Sequence, residues 1–386
     1  MRVTHPRIAY VDVNVRYLNR SREKCIEALE QTGEVIKIGP GFSAPHESCR
    51  VLEQLLQSGA IDVLVTTPHI ALASSFEGVG TAEIAALYRK SFGYTFDDSE
   101  FSQLAVLNRQ LQQTRIPRLV FLLEADYYNF TADRIAAFCS VGDVLLGFGP
   151  ESWGRKVDMR HLAAESFAPL VNDCWVEFLE TNGHRVASFH HPIGDDEFCS
   201  IPLAERPKAW SVLGVRYEAR RVAISTLRRH GVSPVVSGPL RRAFSLLRRL
   251  RLARGETAAS INRVQQEFRN KLVRSRYSFA CGSGIEMPVR KFFEIPAAGS
   301  VLVCRTFRAA GALGFKNGEN YIECEPQDIM DVHRFLERNP EKAQEIADAG
   351  RRLIAERHSV AARAAQLRTI YASVLADHPR WKTARS

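Results

Sequence analysis

Short apolar runs alternate with amphipathic stretches along the first half of this chain, and that rhythm constrains its fold more than any other feature. Each run is only long enough for one strand, and several are apolar throughout, which is typical of strands buried on both faces of a sheet. Helix signals lie between the runs, such as Ser21 before a stretch with Glu23 in its first turn. Strands are predicted at residues 7–13, 34–39, 61–68, 118–124 and 143–148. The alternation predicts a parallel sheet covered by helices.

A second rhythm of the same kind follows a turn-rich segment at residues 190–198, which we interpret as a hinge. Here the pattern predicts helices at 218–229 and 240–254, a helical tail from about 327 to 376, and strands at 209–215, 233–236 and 300–304. A chain of 386 residues is long enough for two domains.

We therefore expect an α/β protein with two Rossmann-like domains that face each other across a cleft. The expected boundaries are residues 1–195 for the first domain and 196–365 for the second, with a tail at 366–386 that packs back toward the first. Ligands of open parallel sheets bind outside the carboxyl ends of the strands, so the cleft is the predicted site.

Composition indicates a cytoplasmic protein without a structural metal. Hydrophobic residues make up 45% and charged residues 25% of the chain, no apolar run reaches the roughly 18–20 residues that span a bilayer, and no secretory signal is visible. The 8 cysteines are scattered without a CxxC pair, which indicates reduced thiols.

The net charge of +9 is concentrated between residues 216 and 276. Within this stretch, residues 240–254 are basic and amphipathic, which leaves two interpretations open. The segment either lies on an anionic membrane surface, which would place the protein at the inner face of the membrane, or forms a core-facing helix with a solvated basic face. No aromatic-rich basic motif accompanies it, so nucleic acid is not an expected partner.

The segment from residue 282 to 299 carries most of the functional signal. Gly282, Ser283 and Gly284 allow close approach of backbone N–H groups to a ligand. Pro288 suits the first turn of a helix that we expect over 288–298, ending at Gly299. A glycine-rich loop that leads into a helix is suited to a pyrophosphate. Either of two adjacent cations, Arg290 and Lys291, would add charge-assisted contacts.

Glu294 lies in this predicted helix between Phe293 and Ile295, on a face that should be buried. A buried carboxylate is costly unless it is paired, and the sequence shows no certain basic partner. Two vicinal ribose hydroxyls are therefore a candidate partner. Glu286 lies eight positions earlier, and a helical rise would separate the two carboxylates by on the order of 10 Å, as far apart as the ribose and the sugar of a nucleotide sugar.

Glu286 and Glu294 fit the E-x7-E pattern of glycosyltransferases with two Rossmann-like domains, the GT-B fold. The chain resembles the glycosyltransferase-like family typified by the spore-maturation protein CgeB. Residues 290–299 resemble that family's R-x-F-E-I-P-A-C-G segment, with the difference that Lys291 holds the place of its basic residue three before the glutamate and Arg290 lies beside it. Residues 313–321 resemble its glycine-containing stretch and residues 351–367 its closing helix pair. The resemblance covers about residues 275–370.

The resemblance implies a metal-independent enzyme of polysaccharide biosynthesis that moves a sugar from a nucleotide donor to an acceptor. The nucleotide diphosphate sugar would be its substrate, with no further cofactor. Glu294 would bind the ribose and Glu286 the donor sugar or the region of its phosphates, with Glu286 also a catalytic candidate. Related enzymes often place an arginine after the first strand of the second domain, here Arg216, with Arg220 next. Asp126, after a buried first-domain strand, is the candidate base for the acceptor hydroxyl.

Other residues have a structural interpretation beside the functional one. His69 ends a strand, and His190 and His191 lie in the hinge. Asp195 and Asp196 resemble a metal-binding acidic pair, but a hinge turn explains them better. Residues 147–154 do not fit G-x-G-x-x-G, so a nicotinamide cofactor is not expected.

Two alternatives to a transferase remain on the sequence alone. One is a catalytically inactive protein that keeps the fold to bind a nucleotide, a sugar or a partner. The other is a scaffold recruited to a membrane or a nucleic acid by the basic stretch.

Overall fold

A computed structural model describes residues 5–14, 20–73, 98–122, 131–147, 149, 173–214, 217–237, 258–282 and 287–377. These residues form two parallel sheets in succession, each covered by helices, so the predicted α/β class with two Rossmann-like domains is confirmed. Within the described part of the chain, no helix is long and apolar enough to cross a membrane.

The first sheet is parallel throughout, in the order β2-β1-β3-β4-β5-β6. Its strands are β1 (Arg7–Val11), β2 (Glu34–Ile38), β3 (Val63–Thr66), β4 (Arg118–Leu122), β5 (Val144–Gly147) and β6 (Val186–Ser188). The helices described with it are α1 (Ser21–Glu30), α2 (Pro45–Ser58), α3 (Pro68–Ala71), α4 (Asp98–Gln113), α5 (Ala132–Val141) and α6 (Asp173–Asn182). The apolar runs are buried on both faces, as predicted, because separate clusters of buried side chains cover the two sides of the sheet.

The second sheet is also parallel, in the order β11-β10-β9-β7-β8. Its strands are β7 (Lys208–Val212), β8 (Val235–Val236), β9 (Ser275–Ala280), β10 (Val301–Cys304) and β11 (Ile322–Glu323). The helices described with it are α7 (Glu218–Arg229), α8 (Ala258–Val273), α9 (Lys291–Ala297), α10 (Ile329–Arg338), α11 (Pro340–Arg357) and α12 (Val360–Asp377). It too has a buried cluster on each face.

The central strand β9 and the helix α8 before it were not predicted from the sequence, nor were the short strands β6 and β11. Strand β9 carries Ser278 in the middle of the sheet, which breaks the apolar pattern. The Ser278 hydroxyl lies 2.7 Å from that of Ser211 on β7 and 2.9 Å from that of Ser300 beside β10. The three buried hydroxyls form hydrogen bonds with one another across three strands. Because each polar group has a partner, serines are tolerated inside this sheet.

Two predicted helices have different bounds in the structure. Helix α9 begins at Lys291 rather than near Pro288, and Gly299 follows it with a φ of +70°, as expected for a helix end. The predicted helical tail consists of three helices, α10 to α12, because Pro340 begins a new helix and the chain turns again at His358.

The last helix crosses back to the first sheet. Leu367 and Tyr371 of α12 are buried in the cluster that contains Ile8 and Tyr10 of β1. At the crossing, the backbone N–H of Val360 donates to Ile193 O at 2.9 Å. The second half of the chain therefore completes the core of the first.

Each sheet has one point at which the strand order reverses, between β1 and β3 in the first and between β7 and β9 in the second. Crevices form at such points outside the carboxyl ends of the strands. In the first sheet Asp12 and Thr67 follow the two strands, and in the second Gly214 and Cys281 do so. These four residues therefore lie where a ligand crevice is expected.

Candidate functional site

A cavity of about 600 Å³ lies between the two halves, and we call it the cleft cavity. Its wall takes residues from four parts of the chain: α1 of the first half, the turn at 195–197, the carboxyl ends of β7 and β8, and the helices α8 and α9. Lining residues used below are Arg20, Asp196, Glu197, Phe268, Lys291 and Glu294. The volume falls within the range of small-molecule sites.

Helix α9 presents two charged groups to this cavity. Lys291 and Glu294 both line it, whereas Phe292, Phe293 and Ile295 are buried in the core beneath. Residues three apart in a helix lie on one face. Lys291 and Glu294 therefore share the polar side that faces the cavity, and the residues between and after them form the apolar side that faces the core. The expectation that the Glu294 face is buried throughout is therefore corrected.

Glu294 has a basic partner that the sequence did not make certain. Arg290 Nε donates to Glu294 Oε1 at 2.8 Å. The rest of the guanidinium binds protein oxygens: Nη1 donates to Pro192 O at 2.7 Å, and Nη2 to Glu197 Oε1 and Oε2 at 2.7 and 2.5 Å. Burial opposes the charge of Arg290, but the carboxylates of Glu197 and Glu294 hold its pKa above the usual value.

The structure distinguishes the two adjacent cations that the sequence left equivalent. The side chain of Arg290 is only 5% exposed and serves Glu294 and Glu197. Lys291 lines the cleft cavity, with Nζ 5.7 Å from the ring centroid of Phe268 on α8. The direct contact with a pyrophosphate that we predicted for Arg290 stays a prediction, and Lys291 has the better position for it.

A third cation lies at the reversal point of the second sheet. Gly214 follows β7 with a φ of +116°, and a Cβ built on it would lie 2.8 Å from Arg220 Nη1 and 2.9 Å from Lys291 Cε. Arg220 is buried, and its Nη2 donates to Cys281 O at 3.2 Å. Gly282, one of the predicted site residues, is buried next to Cys281. On the sequence alone Arg220 is a weaker candidate than Arg216, and a solvated helix face is the alternative interpretation of both, which the burial of Arg220 does not support.

The carboxyl end of β1 holds a buried charged network in the first half. Asp12 forms an ion pair with Arg22 at 3.0 Å and accepts hydrogen bonds from Tyr10 at 2.7 Å and Thr67 at 2.5 Å, and His69 Nδ1 lies 3.1 Å away. Burial would raise the pKa of Asp12, but Arg22, His69 and Thr67 lower it to about 2. Burial and then Arg22 lower the pKa of His69 to about 4. His69 is therefore neutral and fixed at neutral pH.

The two hinge histidines connect the halves of the molecule. His191 Nδ1 lies 2.7 Å from Ser21 Oγ at the start of α1, and its ring centroid is 6.1 Å from that of Phe293 on α9. His190 also packs against Phe293, at 6.3 Å. Both are buried, which favours their structural interpretation.

Asp195 and Asp196 lie in a short 3-10 helix, Asp195–Glu197, which we call the hinge turn. Asp196 binds two cations on or beside α1, Arg20 through Nη1 at 2.5 Å and Lys24 through Nζ at 3.0 Å. No group of three or more metal-ligating side chains occurs among the described residues. The ion pairs of Asp196 agree with the interpretation as a turn.

Several predicted site residues lie outside the described residues, namely Asp126, Arg216, Ser283, Gly284 and Glu286. The same holds for the basic stretch 240–254. Their predicted roles stay predictions.

Comparison with known proteins identifies the architecture. Residues 221–369 match the model of a family described as glycosyl transferase-like. Among curated proteins, none matches the chain significantly.

Three solved structures share the arrangement of the whole chain. A glycosyltransferase from Rickettsia africae has a TM-score of 0.55 at 11% identity, covering 97% of this chain and 99% of that one. HepE of Anabaena, in complex with UDP-glucose, has a TM-score of 0.53 at 11% identity, covering 96% and 100%. Sucrose-phosphate synthase of Thermosynechococcus elongatus has a TM-score of 0.50 at 10% identity, covering 96% and 100%. The fold is that of GT-B glycosyltransferases, two Rossmann-like domains about a cleft.

Proposed function

We propose that this protein is a glycosyltransferase that moves a sugar from a nucleoside diphosphate sugar to an acceptor hydroxyl. The donor would bind the second domain at the cleft cavity and the acceptor would approach from the first. The match of residues 221–369 to a glycosyltransferase-like family supports the donor side, since α9 and the residues around it fall inside that range. UDP-glucose bound to a protein of the same fold, HepE, supports the donor class.

One observation carries the proposal: a cation and a carboxylate lie one turn apart on the same cavity wall. Lys291 and Glu294 both line the cleft cavity. A diphosphate needs positive charge, and two vicinal ribose hydroxyls need an acceptor. Side chains three apart on a helix lie about 5–6 Å apart, comparable to the step from ribose to diphosphate in a nucleotide.

The state of Glu294 suits a ribose ligand. Arg290 donates to one oxygen, Oε1, and within the described part of the chain no hydrogen bond reaches Oε2. Arg290 therefore offsets part of the charge of Glu294 before the donor arrives, while one oxygen keeps its capacity to accept.

In the transfer step, the bond from the anomeric carbon to the diphosphate oxygen breaks and a bond to the acceptor oxygen forms. The departing diphosphate carries the developing negative charge, and Lys291 with the nearby guanidinium of Arg220 would stabilise it. The acceptor hydroxyl loses its proton, for which Asp126 is our proposed base.

The finer features follow the resemblance rather than the described geometry. We propose that Glu286 pairs with Glu294 as in the CgeB-type family and contacts the sugar, and that Gly282, Ser283, Gly284 and Arg216 line the diphosphate. We further propose metal-independent transfer in polysaccharide biosynthesis, in the cytoplasm, with residues 240–254 meeting an anionic membrane surface.

Calorimetric titration with UDP and GDP tests the donor site directly. The intact protein should bind one of them, and Glu294→Ala should weaken that binding by about tenfold or more, the worth of hydrogen bonds to a charged group. Glu345→Ala is the matched control, because Glu345 is exposed on α11 and pairs only with Lys342 at 3.1 Å among the described residues. If neither nucleotide binds, or if Glu294→Ala binds as tightly as the control, the proposal fails.

A second measurement separates an enzyme from an inactive binding protein of the same fold. Transfer or hydrolysis of the donor sugar, followed with a radiolabelled nucleotide sugar and a cell extract, should occur with the intact protein and be lost with Glu294→Ala. Tight nucleotide binding without turnover of any donor would instead favour the non-catalytic alternative.

A further inference from the structure

The guanidinium of Arg290 links Glu197 of the hinge turn to Glu294 on the wall of the cleft cavity. Both oxygens of Glu197 accept from Arg290 Nη2, at 2.7 and 2.5 Å, and Oε1 also accepts from the backbone N–H of Gly194 at 2.9 Å. Glu197 is 8% exposed. A carboxylate bound at three points in a buried site is held in one geometry, and it holds its partner in turn.

Because Glu197 binds part of the Arg290 guanidinium, the N–H donors of Arg290 are divided between Glu197, Pro192 and Glu294. While Nη2 is bound to Glu197 and Nη1 to Pro192 O at 2.7 Å, only Nε is directed at Glu294. An arginine facing one carboxylate tends to bind it through two parallel N–H groups. The bonds to Glu197 and Pro192 prevent that arrangement, and they leave Oε2 of Glu294 without a hydrogen bond from the described part of the chain.

The hinge turn is itself anchored on the first half. Asp196, adjacent to Glu197, binds Arg20 at 2.5 Å and Lys24 at 3.0 Å, both on or beside α1. On the other side, the backbone N–H of Cys199 donates to Ala297 O at 3.0 Å, which fixes the hinge segment to the end of α9. The place of Glu197 relative to α9 is therefore set by contacts on both of its sides.

We propose that Glu197 is a positioning residue for the donor site. It acts through Arg290 and keeps one oxygen of Glu294 available to the ribose hydroxyls of the nucleotide. This inference rests on the proposed function, because it assigns to Glu197 the orientation of the carboxylate that we propose to bind the donor. Removal of its charge would let Arg290 Nη2 turn to Glu294 and occupy the oxygen that the ribose needs.

The test compares UDP with its dideoxy analogue, which lacks both ribose hydroxyls, by calorimetry on the full chain. The intact protein should bind UDP more tightly than the analogue. Glu197→Gln should bind UDP about tenfold more weakly, with little change for the analogue. Damage of a general structural kind would weaken both nucleotides alike, so the ratio of the two affinities reports on positioning alone.

Two further variants make the outcome decisive. Glu197→Asp keeps the charge and should restore part of the preference for UDP, which also covers the case in which Glu197→Gln folds poorly. In a Glu294→Ala background, Glu197→Gln should have no further effect on UDP affinity, because the residue acts through Glu294. Asp195→Asn is the matched control, since Asp195 is an exposed carboxylate of the same hinge turn, and it should leave both affinities unchanged.

The results separate the two proposals. If the intact protein binds neither UDP nor GDP, the proposed function fails and takes this inference with it; if it binds GDP alone, the same comparison is made with GDP and its dideoxy analogue. If UDP binds and Glu294→Ala weakens it, but Glu197→Gln keeps the preference for UDP over the analogue, the function stands and Glu197 has no positioning role. The inference would also be overturned if the losses of UDP affinity caused by Glu197→Gln and by Glu294→Ala were additive in the variant that carries both.

Discussion

Gly214 and Lys291 lie so close that a single added methyl group would bring them into collision. A Cβ built on Gly214 would be 2.9 Å from Lys291 Cε and 2.8 Å from Arg220 Nη1. The turn after β7 thus lies against both Lys291, which lines the cleft cavity, and the buried Arg220. Glycine is required here for two reasons: it has no side chain to collide with these cations, and it adopts a positive φ of +116°.

Gly214→Ala should therefore weaken nucleotide binding by displacing Lys291 and Arg220. Gly231→Ala is the control, because Gly231 also has a positive φ, of +79°, but nothing lies within 4 Å of a Cβ built there. Both variants should lose about 1–2 kcal/mol of stability from backbone strain, measured by urea unfolding. Only Gly214→Ala should lose UDP affinity in calorimetry. Equal affinities of the two variants would contradict the contact.

Lys291→Met should weaken UDP by about tenfold, because it removes the charge proposed to meet the diphosphate but keeps the apolar stem against Phe268. Uridine, which has no phosphate, should bind both proteins equally. Lys342→Met provides the comparison, since Lys342 is exposed on α11 in a pair with Glu345. A parallel loss for uridine and UDP would show that Lys291 acts on something other than the phosphates.

The stability of the protein should fall as the pH drops from 7 to 5.5. Burial, then Arg22, lowers the pKa of His69 to about 4; burial, then Arg363, lowers that of His358 to about 2; burial, then Arg290, lowers that of His191 well below its usual value. The unfolded chain takes up protons below its ordinary histidine pKa of about 6.5, while the folded chain does not, so acid favours unfolding.

Each of the three histidines should lower the free energy of unfolding by about 1 kcal/mol as the pH falls from 7 to 5.5. Urea unfolding at a series of pH values measures the slope. His191→Asn should reduce this slope by about a third. Equal stability at pH 7 and 5.5 would mean that these rings are protonated in the folded protein.

Leu367→Ala should destabilise the first half of the molecule although it lies in the last helix. Leu367 is fully buried, at 0% exposure, in the cluster that contains Ile8 and Leu29. Loss of such a side chain costs about 2–5 kcal/mol, measured by thermal or urea unfolding. Phe335→Ala, where the side chain is 45% exposed on α10, should cost far less. Similar losses in the two variants would contradict the docking of α12.

Several features of the fold follow from local sequence. The runs that form β1, β3 and β4 are mostly apolar, with Arg7 and Arg118 at the start of β1 and β4 and Thr66 at the end of β3, and α7 has the bounds that its helical pattern predicts. Strand β9 escaped prediction because Ser278 interrupts its apolar run, and the hydroxyls that satisfy it come from Ser211 and Ser300, 67 and 22 residues away. Local patterning cannot reveal a polar group whose partners lie on other strands.

The candidate site divides in the same way. By itself, the sequence determined that Lys291 and Glu294 share one helix, because spacing and helix signals are local properties. Only the tertiary structure decided that Arg290 compensates Glu294 while Glu197, 93 residues before Arg290, shares its guanidinium, and that Arg220 lies buried beside Gly214. Burial and charge pairing arise from segments distant in the chain, and they decide which of several similar side chains lines the cavity and which supports it from within.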